Sequence, residues 1–213
     1  MTDSAAIASM FKTYDIRGIA PSPLSADVAY RIGRALVLEL GGDAIAVGRD
    51  MRVSGQLLAA SLIEGIRDQG ADVTDLGLVS TDALYFTVGK YGFPAGVMIT
   101  ASHNPPEYNG FKLCRAEARA IAFEDGIMQI RDRVVNDDFP ELPDHRVALV
   151  QKDVLEAYAD HVLGLIDVSR IKPMRIAIDA GNGMGGKTSP IVFGRLPLAV
   201  PPLFFELEGP FPN

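Results

Sequence analysis

The sequence predicts an α/β protein: a mixed, largely parallel sheet sandwiched by helices, followed by the incomplete start of a second, similar α/β domain. Three observations point there. Apolar runs of strand length alternate along the chain with segments of helical spacing. Serines stand at the starts of helical segments and glycines at their ends. The 213 residues, 48% hydrophobic and 22% charged, are enough to build a sizeable core and exclude a disordered chain.

Taken in order, SADVAYRIGRALVLEL, from Ser25 to Leu40, carries Val28, Ile32, Ala35, Leu36 and Leu40 on one helical face and stops at Gly41-Gly42. The short apolar run AIAVG at 44–48 reads as a buried strand. Ser54 then offers a cap to GQLLAASLIEGIRDQG, whose Leu58, Leu62, Ile63 and Ile66 share a face that ends at Gly70. A strand in ADVTDLGLV, a helix near 82–91, the strand AGVMIT and a helix over 123–136 complete the first unit. The polar, proline-punctuated NDDFPELPDHR marks a boundary that ends near 150, so the expected domains are 1–150 and 151–213. The second opens with a helix around 152–166, the strand MRIAIDA and the glycine-rich GNGMGG, then one short helix and one apolar strand. That is too little to close a domain, and the apolar ending PLAVPPLFFELEGPFPN is expected to lie exposed.

Charge narrows the function classes. With 20 basic and 27 acidic side chains the net charge is −7, which disfavours a general nucleic-acid or anionic-membrane surface and leaves room for a local basic pocket. The single cysteine, Cys114, cannot form an internal disulfide, and with three histidines it is too little for a Cys/His zinc site. No signal-like amino terminus or membrane-length apolar stretch occurs, so a cytoplasmic setting without nucleic-acid or membrane partners is expected. His145 and His161 lack metal-ligand spacing and are expected at the surface; Asp137 and Asp138 are expected in a solvated loop.

The stretch TASHNPPEYNGFK, 100–112, follows the strand AGVMI and carries the chemistry. Ligands of open α/β sheets sit outside the carboxyl ends of strands, where Ser102 falls. Asn109-Gly110 signals a tight reversal that would return Lys112 beside Ser102. His103 adds a group that can change charge near neutral pH. Acyl transfer fits poorly, because no G-x-S-x-G elbow surrounds Ser102. Phosphoryl chemistry fits better: a serine to carry phosphate, cations nearby, and Arg17 and Arg49 in loops after strands. From spacing alone, a surface turn in which Asn and Pro do only conformational work stays open.

A rival lies downstream. GNGMGGKT at 181–188 fits G-x-x-x-x-G-K-[ST] and also G-x-G-x-x-G, after a strand as both require. A P-loop must open a sustained helix, however, and Pro190, Gly194 and Pro197 leave barely two turns; no Walker-B strand follows. Glu206 or Glu208 could serve a dinucleotide version, a coincidence easily met in an acidic chain. The glycines are read as a strand-to-helix turn.

Four segments together, FKTYDIRG (11–18), VGRDMRVSG (47–55), TASHNPPEYNGFK and IDAGNGMGG (178–186), resemble the α-D-phosphohexomutases, in particular the phosphomannomutase/phosphoglucomutase branch. The resemblance runs in order along nearly the whole chain. It implies a phosphoserine that gives its phosphoryl group to a hexose phosphate and takes the other one back from a bisphosphorylated intermediate, moving phosphate between the 1- and 6-positions. Ser102 would be that serine, with its phosphate also ligating Mg²⁺. His103 and Lys112 match residues that assist proton transfer and phosphate charge; Tyr14, Arg17 and Asn104 match residues around the transferring group. The implied catalytic set is Ser102, His103, Lys112 and Arg17, and the implied substrate-binding set Tyr14, Arg17, Asn104 and Lys112. Where phosphoglucosamine mutases read FGTDGIRG and DNGIK, this chain has FKTYDIRG and YNGFK, so hexose phosphates of mannose or glucose are the expected partners.

Departures from the family pattern matter as much. Family members run to about twice this length with four domains, and neither a DGDGDR-type metal loop nor a GEMSG-type sugar loop occurs among these residues. The 213 residues alone are therefore expected to be inactive. A P-loop-like nucleotide-binding protein and a non-catalytic sugar-phosphate-binding remnant are the alternatives.

Overall fold

In a computed structural model that describes residues 3–144 and 147–213, Asp3 caps the Ala5 N–H at 2.9 Å to open α1 (Ser4–Ser9), and β1 (Ile16–Ile19) follows. The next helix, α2 (Ala26–Leu40), is capped as its sequence predicts: Ser25 Oγ accepts the Val28 N–H at 3.2 Å, and Gly41 and Gly42 end it at φ of 69° and 103°. Then come β2 (Ala44–Arg49), α3 (Gly55–Asp68), β3 (Asp72–Leu78), α4 (Thr81–Tyr91), β4 (Ala95–Ile99) and β5 (Tyr108–Arg115). After α5 (Ile127–Asn136), β6 (Leu149–Gln151) and α6 (Leu155–Gly164) complete the elements around the large sheet. Ser54 departs from expectation. It makes no cap bond to α3; its Oγ instead accepts the Asn109 side-chain N–H at 2.9 Å.

Six strands form one sheet in the order β1-β5-β4-β2-β3-β6. The pairs β4/β2, β2/β3 and β3/β6 are parallel, while β5 runs antiparallel to both β4 and β1. The sheet is thus mixed, with its parallel part built by the strand-helix-strand crossovers that the alternating pattern predicts. Side chains alternate across it. Ile45, Val47, Val97, Ile99, Phe111 and Leu113 join one buried cluster with residues of α2, α3 and α5. Ala46, Met98 and Cys114 join a second with Leu84, Val88 and Leu155 of α4 and α6. All five residues of β4 are buried, so this strand is covered on both faces and its carboxyl end is held rigidly where Thr100 begins the serine loop. Each fully buried Leu, Ile or Val contributes about 1.5–3 kcal/mol relative to its exposed state.

The tight turn expected at Asn109-Gly110 does not exist. Both residues lie inside β5, and the chain reverses earlier, between Thr100 and Glu107. The dipeptide is there for space and for hydrogen bonds. A Cβ at Gly110 would overlap the Ile16 carbonyl oxygen and lie 3.2 Å from Arg17 Cα, so only glycine lets β1 and β5 approach. Asn109, fully buried, donates to Ser54 and accepts the Gly110 N–H at 2.9 Å. Lys112 nonetheless returns beside the strand just left, opposite Met98.

Beyond α6 the strand expected at 174–180 is two short pieces, β7 (Met174–Arg175) and β8 (Ile178–Asp179). Next come α7 (Gly185–Phe193), β9 (Leu198–Ala199) and β10 (Pro202–Leu203), with β9 parallel to β7 and β10 parallel to β8. Pro201 and Pro202 carry no N–H, which interrupts the ladder between the two pieces. Leu203 and Phe204 are exposed, as the composition of this ending predicts. His161 sits at the surface with its ring 4.9 Å from that of Phe86, Asp137 and Asp138 are exposed, and His145 lies outside the described residues.

Candidate active site

The loop from Thr100 to Glu107 closes one wall of a cleft of about 720 Å³, whose lining includes Ser102, His103, Asn104, Arg17, Lys12 and Asp15. Ser102 holds a left-handed backbone, φ 54°, which costs a non-glycine residue about 1–2 kcal/mol. Thr100 Oγ1 accepts its N–H at 3.0 Å, and its own Oγ is exposed, 3.1 Å from His103 Nδ1. A hydroxyl held outward on a strained turn at a strand end can be reached by a ligand from the cleft.

Two arginines hold the loop from different sides. Arg17, in β1, donates from Nη1 to the Ala101 carbonyl and to Asn104 Oδ1, and from Nε to Asp15 Oδ2 at 2.9 Å. Arg52 donates to the carbonyls of Ser102, Asn104, Pro105 and Tyr108 at 2.7–3.0 Å. It is 3% exposed and pairs with Asp50 at 3.4 Å. Burial pushes the Asp50 carboxyl up from its usual value, against hydrogen bonds from Thr100 and Arg52 that pull it down. Burial likewise pulls Arg52 down, opposed by Asp50, but a guanidinium in a protein remains a cation.

Asp15 links the cations of the cleft. Its Oδ2 lies 2.8 Å from Arg17 Nη2 and 3.6 Å from Lys112 Nζ, with all three side chains partly buried. The positive charge of the cleft is thus local, within a chain of net charge −7.

The family model for phosphoglucomutase/phosphomannomutase, alpha/beta/alpha domain I, matches residues 8–141, more than half of the chain. The chain belongs to that family. A phosphomannomutase/phosphoglucomutase of Pseudomonas aeruginosa is 40% identical over 209 residues, covering 97% of this chain and 44% of the relative. A phosphoglucomutase of Neisseria gonorrhoeae is 42% identical over 207 residues, covering 96% of this chain and 44% of the relative. The crystal structure of a phosphoglucomutase/phosphomannomutase family protein from Burkholderia thailandensis superposes with a TM-score of 0.87 at 37% identity, covering all of this chain and 46% of that one. The chain spans less than half the length of these relatives.

Within this phosphoglucomutase/phosphomannomutase fold, Ser102, His103, Asn104 and Arg17 line one cleft. Lys112 joins them through Asp15. Tyr14 stands away from the lining and is 68% exposed. Arg17 lies in a strand, not a loop, and Arg49 is the last residue of β2 and does not line the cleft. Arg52, three residues on, does reach the serine loop. Arg52, Asp50, Asp15 and Lys12 escaped the residue-by-residue reading. All four lie within the segments FKTYDIRG and VGRDMRVSG, but nothing in their spacing says which strand end they face.

The glycine-rich loop at 181–188 does not present the cradle a P-loop needs. The N–H groups of Gly181, Asn182, Gly183, Gly186 and Lys187 already donate to Asp179, Phe204, Ala180, Gly183 and Met184 respectively.

Proposed function

We propose that this chain is the phosphoserine-bearing portion of a hexose-phosphate mutase that interconverts 1- and 6-phosphates of mannose or glucose. The observation that carries the reading is Ser102: an exposed hydroxyl on a left-handed turn in the cleft, with His103 at 3.1 Å and its loop bound by Arg17. Family membership and relatives named for this activity support it.

A phosphate on Ser102 leaves as the Oγ–P bond breaks and a P–O bond forms to a sugar hydroxyl; the sugar hydroxyl gives up its proton and Ser102 Oγ regains one. His103, within hydrogen-bond reach of Oγ, is placed to supply that proton, and Lys112 to balance phosphate charge. Asn104 and Arg17 hold the loop in register, and Tyr14, exposed outside the lining, is free to reach a bound sugar. The transfer then runs in reverse with the sugar's other phosphate. We read residues 1–150 as the first domain and 151–213 as the opening of a second, whose first helix, α6, packs Leu155 against the first domain's core. A cytoplasmic setting accords with the buried free thiol of Cys114, and among the described residues no helix is long and apolar enough to cross a membrane.

Mg²⁺ would lower the barrier by spreading charge on the transferring phosphate. Of its ligands these residues would supply a phosphate oxygen on Ser102. Among the described residues no group of three or more His, Cys, Asp or Glu could hold a metal. The donor set does not make a complete metal site, so every step above runs through this chain's own side chains.

The test joins chemistry to position. Glucose 1-phosphate turnover is measured for the protein carrying this sequence, and its phosphorylated residue is mapped by peptide mass, before and after Ser102→Ala. Loss of both label and turnover is expected. Label on another residue, or turnover untouched by the substitution, would overturn the reading.

A further inference from the structure

Arg52 is not among the residues lining the cleft, yet its side chain organises the loop that does. Its terminal N–H groups end on the carbonyls of Ser102 (3.0 Å), Asn104 (2.7 Å), Pro105 (2.7 Å) and Tyr108 (2.9 Å). Those acceptors run from the serine itself to the first residue of β5, so one rigid plane spans nearly the whole reversal. The guanidinium is buried, with Asp50 beside it at 3.4 Å and the Phe211 ring 5.1 Å away. Its Nε faces Asp50 without a hydrogen-bond partner, so its side-chain hydrogen bonds all go to the loop carbonyls.

A loop that keeps Ser102 at φ 54° cannot rest on local preference, because a non-glycine residue leaves that conformation unless its surroundings over-determine it. Backbone carbonyls are what Arg52 binds, so the restraint does not depend on which side chains the loop carries. Lysine keeps the charge but lacks the planar fork needed to meet these acceptors together.

We propose that Arg52 is a positioning residue of the serine loop: it holds Ser102 Oγ at the cleft through the loop's carbonyls, without touching what binds there. The kinetic part of the test rests on the phosphoserine reading; the structural part does not.

Amide exchange is followed in the 213-residue chain and in its Arg52→Lys and Arg52→Ala variants. The loop probes are the N–H groups of Ser102, Asn104 and Tyr108, bonded to Thr100 Oγ1, Ala101 O and Pro105 O. In Arg52→Lys these should exchange roughly tenfold faster or more, since several charge-assisted bonds are lost, while amides of β4 and of β5 beyond Tyr108 keep their rates. Methylguanidinium, and not methylammonium, should restore loop protection in Arg52→Ala. Unchanged loop exchange, equal acceleration in β4 and in β5 beyond Tyr108, or equal rescue by both cations would overturn the assignment. In parallel, phosphoryl transfer from glucose 1,6-bisphosphate to Ser102 is timed in the protein carrying this sequence. Arg52→Lys should lower kcat at unchanged KM, and a raised KM at unchanged kcat would overturn a positioning role. Failure of the unsubstituted protein to accept phosphate would count against the phosphoserine reading, leaving Arg52 to be judged on exchange.

Discussion

Gly110→Ala asks whether Asn109-Gly110 is a turn or a strand. In the structure Gly110 faces Arg17 across the β1/β5 ladder, and an added Cβ would overlap the Ile16 carbonyl oxygen, lie 3.0 Å from the Ile16 carbonyl carbon and 3.2 Å from Arg17 Cα. All of these are backbone atoms, so no rotamer change relieves the contact and the strands must part. Overpacking of this kind costs about 3 kcal/mol or more when it cannot relax. Alanine also stiffens the unfolded chain, which offsets about 0.4–1 kcal/mol. The expected net loss in urea unfolding is therefore about 2 kcal/mol or more, from the difference of those two terms. Because Ile16 is fully buried and β1 also carries Arg17, exchange of the β1 amides should rise with it. A loss below about 1 kcal/mol with β1 still protected would refute the close-approach argument, since even a left-handed turn glycine resists alanine by about that much.

The other expectations concern charge and titration. Asp15→Ala removes the carboxylate shared by Arg17 and Lys112, and should lower stability in urea by about 1–3 kcal/mol, less at high salt because the site is only partly buried. A loss under about 0.5 kcal/mol would make it an ordinary surface bridge. Cys114, buried against Gly96, has its thiol pushed up from 9.0 to about 12 by burial. A raised folded value means the folded state holds the proton longer, so this contribution is full below about pH 9 and is lost as pH climbs toward about 12. Native protein at pH 8 should therefore label with a thiol reagent far more slowly than urea-unfolded protein; equal rates would contradict the burial.

The α/β class and the limits of most elements were legible because they depend on local periodicity and punctuation: Ser25 caps α2 and Gly41-Gly42 ends it, both within one segment. Asn109-Gly110 misled because its strand is recognised only when β1 lies alongside, and β1 comes from residues 16–19. The same non-locality hid Arg52, which meets Ser102 and Tyr108 across 50 and 56 positions of sequence. Ser54 is a serine at a helix start, and local chemistry alone makes it a cap; a buried Asn109 from another element claims its oxygen instead. The serine loop itself was visible, since Ser, His and Asn gather in consecutive positions after an apolar strand.

The division of labour among the cleft's cations follows from how fully each is engaged. Arg17 is bonded at Nε and Nη2 to Asp15 and at Nη1 to Ala101 and Asn104, so turning it toward an anion would release the loop that carries Ser102. Lys112 stands 3.6 Å from Asp15, beyond a normal hydrogen bond, and its three donors can be redirected without disturbing any bond to the loop. A phosphate on Ser102 would therefore draw on Lys112 for mobile charge and on Arg17 for fixed charge. Both residues stand on paired strands, β5 and β1, and the Gly110 contact sets the distance between those strands. The spacing of the two charges is thus written into the backbone, and a phosphate carried on Ser102 would come and go while the frame around it stays put.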